Sequence, residues 1–389
     1  MTGNYIKKES VKGGRGMDNI IGYVKKWGKY TFSEKPFNEV DSLVLCQLVY
    51  LNYEKYVPAL SEKNTSVSML SICEDPGWEQ ILEDYWYKEH NRELFLLAAG
   101  SPRFGHMKMN YYVNVIDEDR QAQFSAMTYF LSDGRIYIAY RGTDATIVGW
   151  KEDLNLAFSK PLRSQYLAVE YMEQVAGEAA GGFCPGIYAG GHSKGGNLAV
   201  YGAMSCSDEI RAKLIRIFNH DGPGFRPEIK AQGNFQAIAE RIIKFIPRSS
   251  LVGMILEEES DYEVIESWGI GLFQHNTYSW KVEDGALVRA KNRTNAKVIR
   301  DAALNEWILS LTEEQTHAFV DTLYEVVSAS EVSNVFEFEA NWKKCLQNVL
   351  LAAKEVDEET KKGIQKTIHL FFQILLENLK MGGWPWQEQ

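Results

Sequence analysis

The chain has 389 residues, of which 45% are hydrophobic and 24% charged, and it carries a formal net charge of -10. This composition is typical of a globular protein with a large core, and it excludes a disordered or fibrous chain. The negative charge argues against nucleic acid and anionic membrane surfaces as partners, because both are polyanions that attract clustered Lys and Arg.

Cysteine usage and the first residues indicate the compartment. The five cysteines are scattered without C-x-x-C spacing, so the sequence predicts neither a disulfide framework nor a zinc site. Met1 to Lys8 has no apolar core, and no stretch approaches the length of about 18 apolar residues that a membrane span needs. We therefore expect a cytoplasmic protein without an integral membrane span, in which residues 1–16 form a flexible leader.

The first predicted elements are two helices followed by antiparallel strands. Helical spacing of apolar residues predicts the helices, and Ser132-Asp133-Gly134 is a hairpin turn between the last two strands. In chain order these elements are a helix from Val40 to Leu51, a helix from Gly77 to Asn91, and strands Tyr111–Ile116, Gln123–Leu131 and Arg135–Tyr140.

The pattern then changes to alternating helices and strands. The alternation runs through a helix at Leu162–Ala180, a strand before Ser193, a helix after it, a strand at Leu214–His220, a helix at Asn234–Arg241 and a strand at Ile242–Ile246. Short connections between such elements predict a mainly parallel sheet with helices on both faces, which is an α/β fold.

The last part of the chain divides into a short β region and a helical region. We expect a strand at Tyr262–Glu266, a loop containing His275, and a hairpin over Tyr278–Val288 that turns at Asp284. From residue 296 no strand pattern remains, and helices are predicted at about 297–310, 313–328, 335–355 and 358–380. The sequence thus predicts an α/β domain over 17–295 and a C-terminal helical domain or cap over 296–389.

The segment Gly190 to Gly196 reads G-G-H-S-K-G-G, with Ser193 at its centre. It contains the G-x-S-x-G pattern of a nucleophile elbow, and it lies between a strand-like and a helix-like run, as an elbow requires. Glycines make room for a sharp turn that exposes the serine hydroxyl, and the N–H groups at the start of the helix face the position of an oxyanion. The pattern predicts that Ser193 is a nucleophile.

A serine nucleophile needs a base, and in α/β hydrolases the histidine comes last in chain order. The histidines that follow Ser193 are His220, His275, His317 and His369. His220 falls at a strand end and the last two fall within predicted helices, whereas His275 lies in a glycine-punctuated loop after a strand, where function concentrates. His275 is the predicted base, and the alternative is a structural loop histidine.

An oxyanion needs two N–H donors, one from the residue after the nucleophile, here Lys194, and one from an earlier strand end. The earlier strand ends in Tyr140-Arg141-Gly142-Thr143, with Trp150, Asp153 and Leu154 downstream. Together with the G-H-S-x-G elbow, this segment resembles class 3 (fungal-type) lipases over residues 38–285. The resemblance implies an α/β-hydrolase fold and makes Thr143 an oxyanion donor, while the Lys194 side chain is expected to point to solvent.

The acid of the site departs from the lipase pattern. Where class 3 lipases have an aspartate, this chain reads Pro247-Arg248-Ser249-Ser250. The best relocated candidate is Asp221, since it follows the strand after the nucleophile strand and lies at the edge where such sites assemble. Asp221 is equally consistent with an ordinary Asp-Gly-Pro-Gly turn. Asp261, in an acidic run, is the second candidate, and a dyad or an inactive site also remains open.

Three further segments extend the resemblance. The segments D-G-P-G-F, S-S-L-V-G-M and Q-H-N-x-Y-S-W are similar to a bacterial family of α/β-hydrolase-like proteins over nearly the whole chain. That resemblance supports the fold and implies no substrate.

The predicted function is a serine esterase of the carboxylesterase, lipase or lysophospholipase type, acting on a small-molecule or lipid ester. No metal or organic cofactor is expected, because nucleophile, base and oxyanion donors suffice for acyl transfer. The alternative from another class is a binding or scaffolding protein that kept the fold after losing its acid. A peptidase or thioesterase would share the same site.

Overall fold

The computed structural model describes residues 19–62, 65–82, 87–117, 122–143, 161–180, 184–250, 252–257, 262–269, 274–290 and 305. Its helices are α1 (Ile20–Trp27), α2 (Glu39–Leu48), α3 (Met69–Cys73), α4 (Lys88–Ala99), α5 (Arg163–Ala180), α6 (Lys194–Ser205), α7 (Asp208–Lys213), α8 (Pro227–Lys230) and α9 (Gly233–Gln236). Its strands are β1 (Val67–Ser68), β2 (Lys108–Asp117), β3 (Ala122–Phe130), β4 (Ile136–Tyr140), β5 (Ile187–His192), β6 (Leu214–His220), β7 (Ile242–Pro247), β8 (Glu263–Ile265), β9 (Val282–Glu283) and β10 (Ala286–Leu287).

Eight strands form one mixed sheet in the order β1 to β8, so each strand pairs with its neighbours in the chain. The strands β1 to β4 pair antiparallel, and β4 to β8 pair parallel. The hairpin of β9 and β10 forms a separate two-stranded sheet. Because β4 to β8 are parallel and follow one another in chain order, their carboxyl ends lie at the same edge of the sheet.

Helices α1 to α4 cover one face of the sheet. Local caps fix where two of them begin: the Asn19 side chain accepts hydrogen bonds at the start of α1, and Asn38 and Asp41 form a capping box at the start of α2. The Arg103 guanidinium bonds to the Asp41 carboxylate, and both side chains are fully buried. The same guanidinium donates to the Lys35 carbonyl, which holds the loop before α2 against the core.

Helices α5 and α6 pack on the opposite face. Successive side chains of a strand point to opposite faces of the sheet, so each strand contributes apolar residues to both cores. In β4, Tyr137 and Ala139 face the N-terminal helices, whereas Ile136, Ile138 and Tyr140 face α5 and α6. The chain is thus a mixed α/β protein with a central sheet between two helical layers, which confirms the predicted α/β class.

Most predicted strands agree closely with the observed ones, and β6 has the predicted bounds. The helix predicted from Gly77 to Asn91 is wrong in its bounds: a short 3₁₀ segment covers Trp78–Leu82, and α4 continues to Ala99. The helix predicted at Asn234–Arg241 is also shorter, since α9 ends at Gln236 and only a 3₁₀ turn, Ala239–Arg241, precedes β7.

The predicted leader at 1–16 lies outside the described residues, and so does the predicted C-terminal helical domain, apart from the helical residue Asn305. Within the described ranges, no helix combines the length and the apolar character that crossing a membrane requires.

Candidate active site

Ser193 occupies the turn between β5 and α6, at the carboxyl edge of the sheet. Its backbone has a positive φ of 59° with ψ -133°, a conformation that costs free energy for a residue with a side chain. The turn is very tight, because a Cβ at Gly191 would lie 2.1 Å from the carbonyl carbon of Gly195. Strand, strained serine and helix therefore follow one another as the G-x-S-x-G pattern predicts.

His275 and Asp221 meet at the same edge of the sheet. The His275 Nδ1–H donates to Asp221 Oδ2 over 2.7 Å; the Asp221 side chain is fully buried and that of His275 is 22% exposed. Asp221 directly follows β6 and is itself left-handed, at φ 56°. The carboxylate thus fixes the tautomer of the imidazole and leaves Nε2 as the nitrogen that can exchange a proton.

Ser250, which follows β7, supports Asp221. Its hydroxyl donates to Asp221 Oδ2 over 2.7 Å, from a buried position after β7. The other carboxylate oxygen, Oδ1, has no hydrogen-bond donor among the described residues, and Gly253 packs so closely that a Cβ there would lie 2.2 Å from it. Both the imidazole and the serine hydroxyl therefore use the same oxygen.

His192 and Tyr50 hold the backbone of His275. The His192 Nε2 lies 2.8 Å from the His275 carbonyl oxygen, and its Nδ1 lies 3.2 Å from the Tyr50 hydroxyl. Because a carbonyl only accepts, Nε2 carries the proton and Nδ1 accepts from Tyr50. Burial is the main cause that lowers the pKa of His192 well below its ordinary value, and the neighbouring His275 also lowers it. The ring therefore stays neutral, so that one nitrogen donates and the other accepts.

The residues after β4 come close to the nucleophile. A Cβ at Gly142 would lie 3.2 Å from the Cβ of Ser193. The Thr143 hydroxyl that follows is buried and has no hydrogen-bond partner within the described part of the chain. Lys194 is the first residue of α6, so its N–H has no acceptor inside the helix. Gly142 thus brings the strand end of β4 against the elbow, and Lys194 and Thr143 are the nearest donors in sequence to these two residues.

The side chain of Lys194 does not point to solvent, and that prediction is wrong. Lys194 is only 1% exposed, and its Nζ donates to the carbonyl and to the side-chain Oε1 of Gln123, over 2.8 and 2.7 Å. Gln123 belongs to β3, so this strand holds the ammonium group of Lys194. Lys194 anchors the start of the helix and is in no position to recognise an external anion.

His220 is excluded as a base by its surroundings. It packs between Phe218 and Phe245, its Nε2 lies 2.8 Å from the Ser42 hydroxyl, and burial lowers its pKa to about 3. The ring faces the N-terminal helices, on the side of the sheet away from α6.

The remaining candidates fall outside the described residues: they are Asp261, His317, His369 and the lipase-like Trp150, Asp153 and Leu154. Sequence reasoning missed three contributors, Ser250, His192 and Tyr50. The serine pair in place of an aspartate was the signal for Ser250, and the elbow histidine itself was the signal for His192. Within the described ranges, no three His, Cys, Asp or Glu side chains are grouped so that they could hold a metal ion.

The fold and the site define a mixed α/β protein with a serine elbow and a His–Asp pair at one sheet edge. A family model described as Mbeg1-like matches residues 98–325, more than half of the chain. The chain belongs to the Mbeg1-like family. Searches of curated proteins and of solved structures found no match.

Proposed function

We propose that this protein is a serine hydrolase of the α/β-hydrolase fold that cleaves a carboxylic ester of a small molecule or lipid. The observation that carries the proposal is the 2.7 Å hydrogen bond from His275 Nδ1 to Asp221 Oδ2, beside the strained elbow at Ser193. The resemblance of the elbow and of the Tyr140–Thr143 strand end to class 3 lipases supports an ester as the substrate.

The first half of the reaction forms an acyl-enzyme. Ser193 Oγ attacks the ester carbonyl carbon while its proton passes to His275 Nε2, and the carbonyl electron pair moves to oxygen. The buried Asp221 carboxylate stabilises the imidazolium that results. When the tetrahedral intermediate collapses, the bond from carbon to the alkoxy oxygen breaks, and His275 gives its proton to the leaving alcohol.

The second half returns the enzyme to its starting state. Water replaces the alcohol, gives a proton to His275 and attacks the acyl carbon; collapse then breaks the bond to Ser193 Oγ, which recovers the proton. In both halves the negative oxygen receives hydrogen bonds from the Lys194 N–H and from Thr143. Donors already in place at that position are worth about 3 to 4 kcal/mol each in sites of this kind.

The competing hypothesis, a binding protein that lost its acid, rested on the missing aspartate after β7. The hydrogen bonds that Asp221 Oδ2 receives from His275 and Ser250 favour the enzyme over the binding protein, with Asp221 at the end of β6 as the acid. A peptidase or a thioesterase would use the same residues, so only assays with different substrates distinguish these activities from an esterase.

Hydrolysis of p-nitrophenyl esters of graded chain length tests the proposal. We expect Asp221→Asn to lower kcat by about 10⁴-fold, since the amide favours the wrong imidazole tautomer, while Asp261→Asn serves as the matched control. Activity that survives Asp221→Asn and is lost in Asp261→Asn would move the acid to Asp261. Thioester and peptide substrates in the same assay identify the acyl group that the site prefers.

A further inference from the structure

The segment after β7, residues 252–257, packs against the carboxylate of Asp221. A Cβ at Gly253 would lie 2.2 Å from Asp221 Oδ1. The Gly224 N–H donates to the Ile255 carbonyl over 2.8 Å, which joins the same segment to the chain that follows Asp221. The position of this segment therefore limits how the carboxylate can rotate.

The same segment contains a strained turn at Ile255 and Leu256. Leu256 has a positive φ of 56°, which costs free energy for a residue with a side chain. A conformation of this kind persists only where the surrounding structure holds it. The contacts of the turn therefore decide where Gly253 stands.

Asn305 holds this turn from a distant part of the chain. Its Oδ1 accepts from the Leu256 N–H over 2.9 Å, and its Nδ2 donates to the carbonyls of Met254 and Glu257, over 3.0 and 3.4 Å. The amide thus uses its acceptor and its donors together. Asn305 lies 49 residues after Leu256, within the segment 98–325 that matches the family.

Other contacts hold the far end of the segment. The Glu257 carboxylate contacts Lys244 of β7 and Lys230 of α8. These ion pairs act on a side chain, whereas Asn305 bonds backbone groups on both sides of Leu256. A change at Asn305 therefore releases the turn and leaves the ion pairs in place.

We propose that Asn305 is a positioning residue of the site. It fixes the turn at Leu256, so that Gly253 stays against Asp221 Oδ1 and Oδ2 stays directed at His275. Asn305 acts through the backbone of the turn and not on the substrate. Its effect on rate rests on the proposed function, whereas its effect on the bond between His275 and Asp221 does not.

Two variants of Asn305 test the proposal. Asn305→Asp keeps the size of the side chain and sets an oxygen against two carbonyls, and Asn305→Ala removes all three hydrogen bonds without adding charge. We expect kcat for p-nitrophenyl ester hydrolysis to fall about tenfold or more in both, with little change in KM, because small displacements of a positioned group are costly at a reacting centre. Should Asn305→Asp fail to fold, Asn305→Ala carries the test.

Gln174→Glu is the matched control. It makes the same change from amide to carboxylate on the exposed surface of α5, where the Gln174 amide donates to Glu178 over 3.4 Å. Its kcat and KM should stay near the wild-type values. Circular dichroism at the assay temperature verifies that each variant is folded.

Proton NMR supplies a readout that does not depend on catalysis. The Nδ1 proton that His275 donates to Asp221 over 2.7 Å belongs to a short hydrogen bond to a charged oxygen, and we expect its resonance well downfield of the amide protons. Asp221→Asn assigns this resonance by abolishing it. It should move upfield or broaden in both Asn305 variants and stay in place in Gln174→Glu.

The two readouts separate this proposal from the proposed function. A wild type that shows the downfield proton and hydrolyses no ester would contradict the esterase, and the resonance alone would then test Asn305. An unchanged resonance and an unchanged kcat in the Asn305 variants, with only a lower melting temperature, would overturn the proposal, because Asn305 would then stabilise the fold without positioning Asp221.

Discussion

Asp221 and His192 hold His275 from two sides. The carboxylate accepts from the ring, while His192, supported by Tyr50, donates to the backbone carbonyl. The imidazole is therefore restrained both in rotation and in translation. This arrangement is the kind of support that keeps a catalytic group in one geometry before the substrate arrives.

Ser250 is the most direct test of this support at the residue scale. Ser250→Ala removes a hydrogen bond to a charged oxygen, an interaction worth about 1.5 to 3 kcal/mol. We expect kcat/KM for ester hydrolysis to fall by about tenfold or more, with partial recovery in Ser250→Thr.

The neighbouring serine gives the matched control for this prediction. Its backbone N–H donates to Gln274 Oε1, and Ser249→Ala retains that bond. Equal losses in Ser249→Ala and Ser250→Ala would show that the effect belongs to the loop and not to the carboxylate.

At the scale of elements, three segments at the ends of parallel strands build the site. β5 ends at the elbow, β6 ends at Asp221, and the segment after β7 brings Ser250 and Gly253 against the carboxylate. The loop with His275 then reaches back over this edge. Parallel pairing places the three strand ends together, and the hydrogen bond to Asp221 brings the His275 loop to them, which explains why residues so distant in the chain converge.

Gly253 tests how closely the segment after β7 must approach. A Cβ there would lie 2.2 Å from Asp221 Oδ1, so Gly253→Ala must displace either the carboxylate or its own backbone. We expect at least a 100-fold loss of kcat with a smaller change in KM, since the base is misoriented.

Gly233→Ala is the control for this change, because a Cβ at Gly233 meets nothing within 4 Å. Esterase activity and melting temperature should both stay near the wild-type values in that variant. Full activity in Gly253→Ala would mean that the carboxylate tolerates displacement, contrary to the account.

The sequence predicted the elements of this site better than its contacts. Asp221 could be predicted as the acid from its position after a strand, because the hydrophobic pattern and the turn residues show where that strand ends. The partner of Ser250 was not readable, since it depends on how the chain turns after Pro247. The Tyr50–His192 contact required knowing that α2 packs across β5. The burial of Lys194 required knowing that its ammonium group reaches Gln123 of β3.

In the whole molecule, the folded unit begins earlier in the chain than the segment that matches the family. The match begins at residue 98, yet α1, α2 and α3 share one core with the strands and bring Tyr50 to the site. The N-terminal helices are therefore an integral layer of the described structure, and the face of the sheet opposite α5 and α6 depends on them.

Burial of histidines in this structure predicts how its stability varies with pH. Above about pH 6.5 a histidine is mostly neutral in both the folded and the unfolded chain, so it does not change the free energy of unfolding with pH. Below that pH the histidine of the unfolded chain becomes protonated. In the folded protein His220 stays neutral down to its lowered pKa of about 3. The free energy of unfolding therefore falls as pH falls, by up to about 1.4 kcal/mol per pH unit from this residue.

Urea unfolding between pH 7 and 4 measures this dependence. His220→Gln should show a shallower loss of stability on acidification than the wild type, whatever its stability at pH 7. The exposed His106 provides the control, since His106→Gln should retain the wild-type slope. Identical slopes in all three proteins would contradict the role assigned to His220.

Covalent labelling with a fluorophosphonate, followed by peptide mapping in a mass spectrometer, tests most directly whether Ser193 is an activated nucleophile. We expect one adduct per chain on the peptide that contains Ser193, no adduct in Ser193→Ala, and much slower labelling in His275→Ala. A folded wild-type protein that stays unlabelled, or that carries its adduct on another residue, would contradict the assignment of Ser193 as the nucleophile.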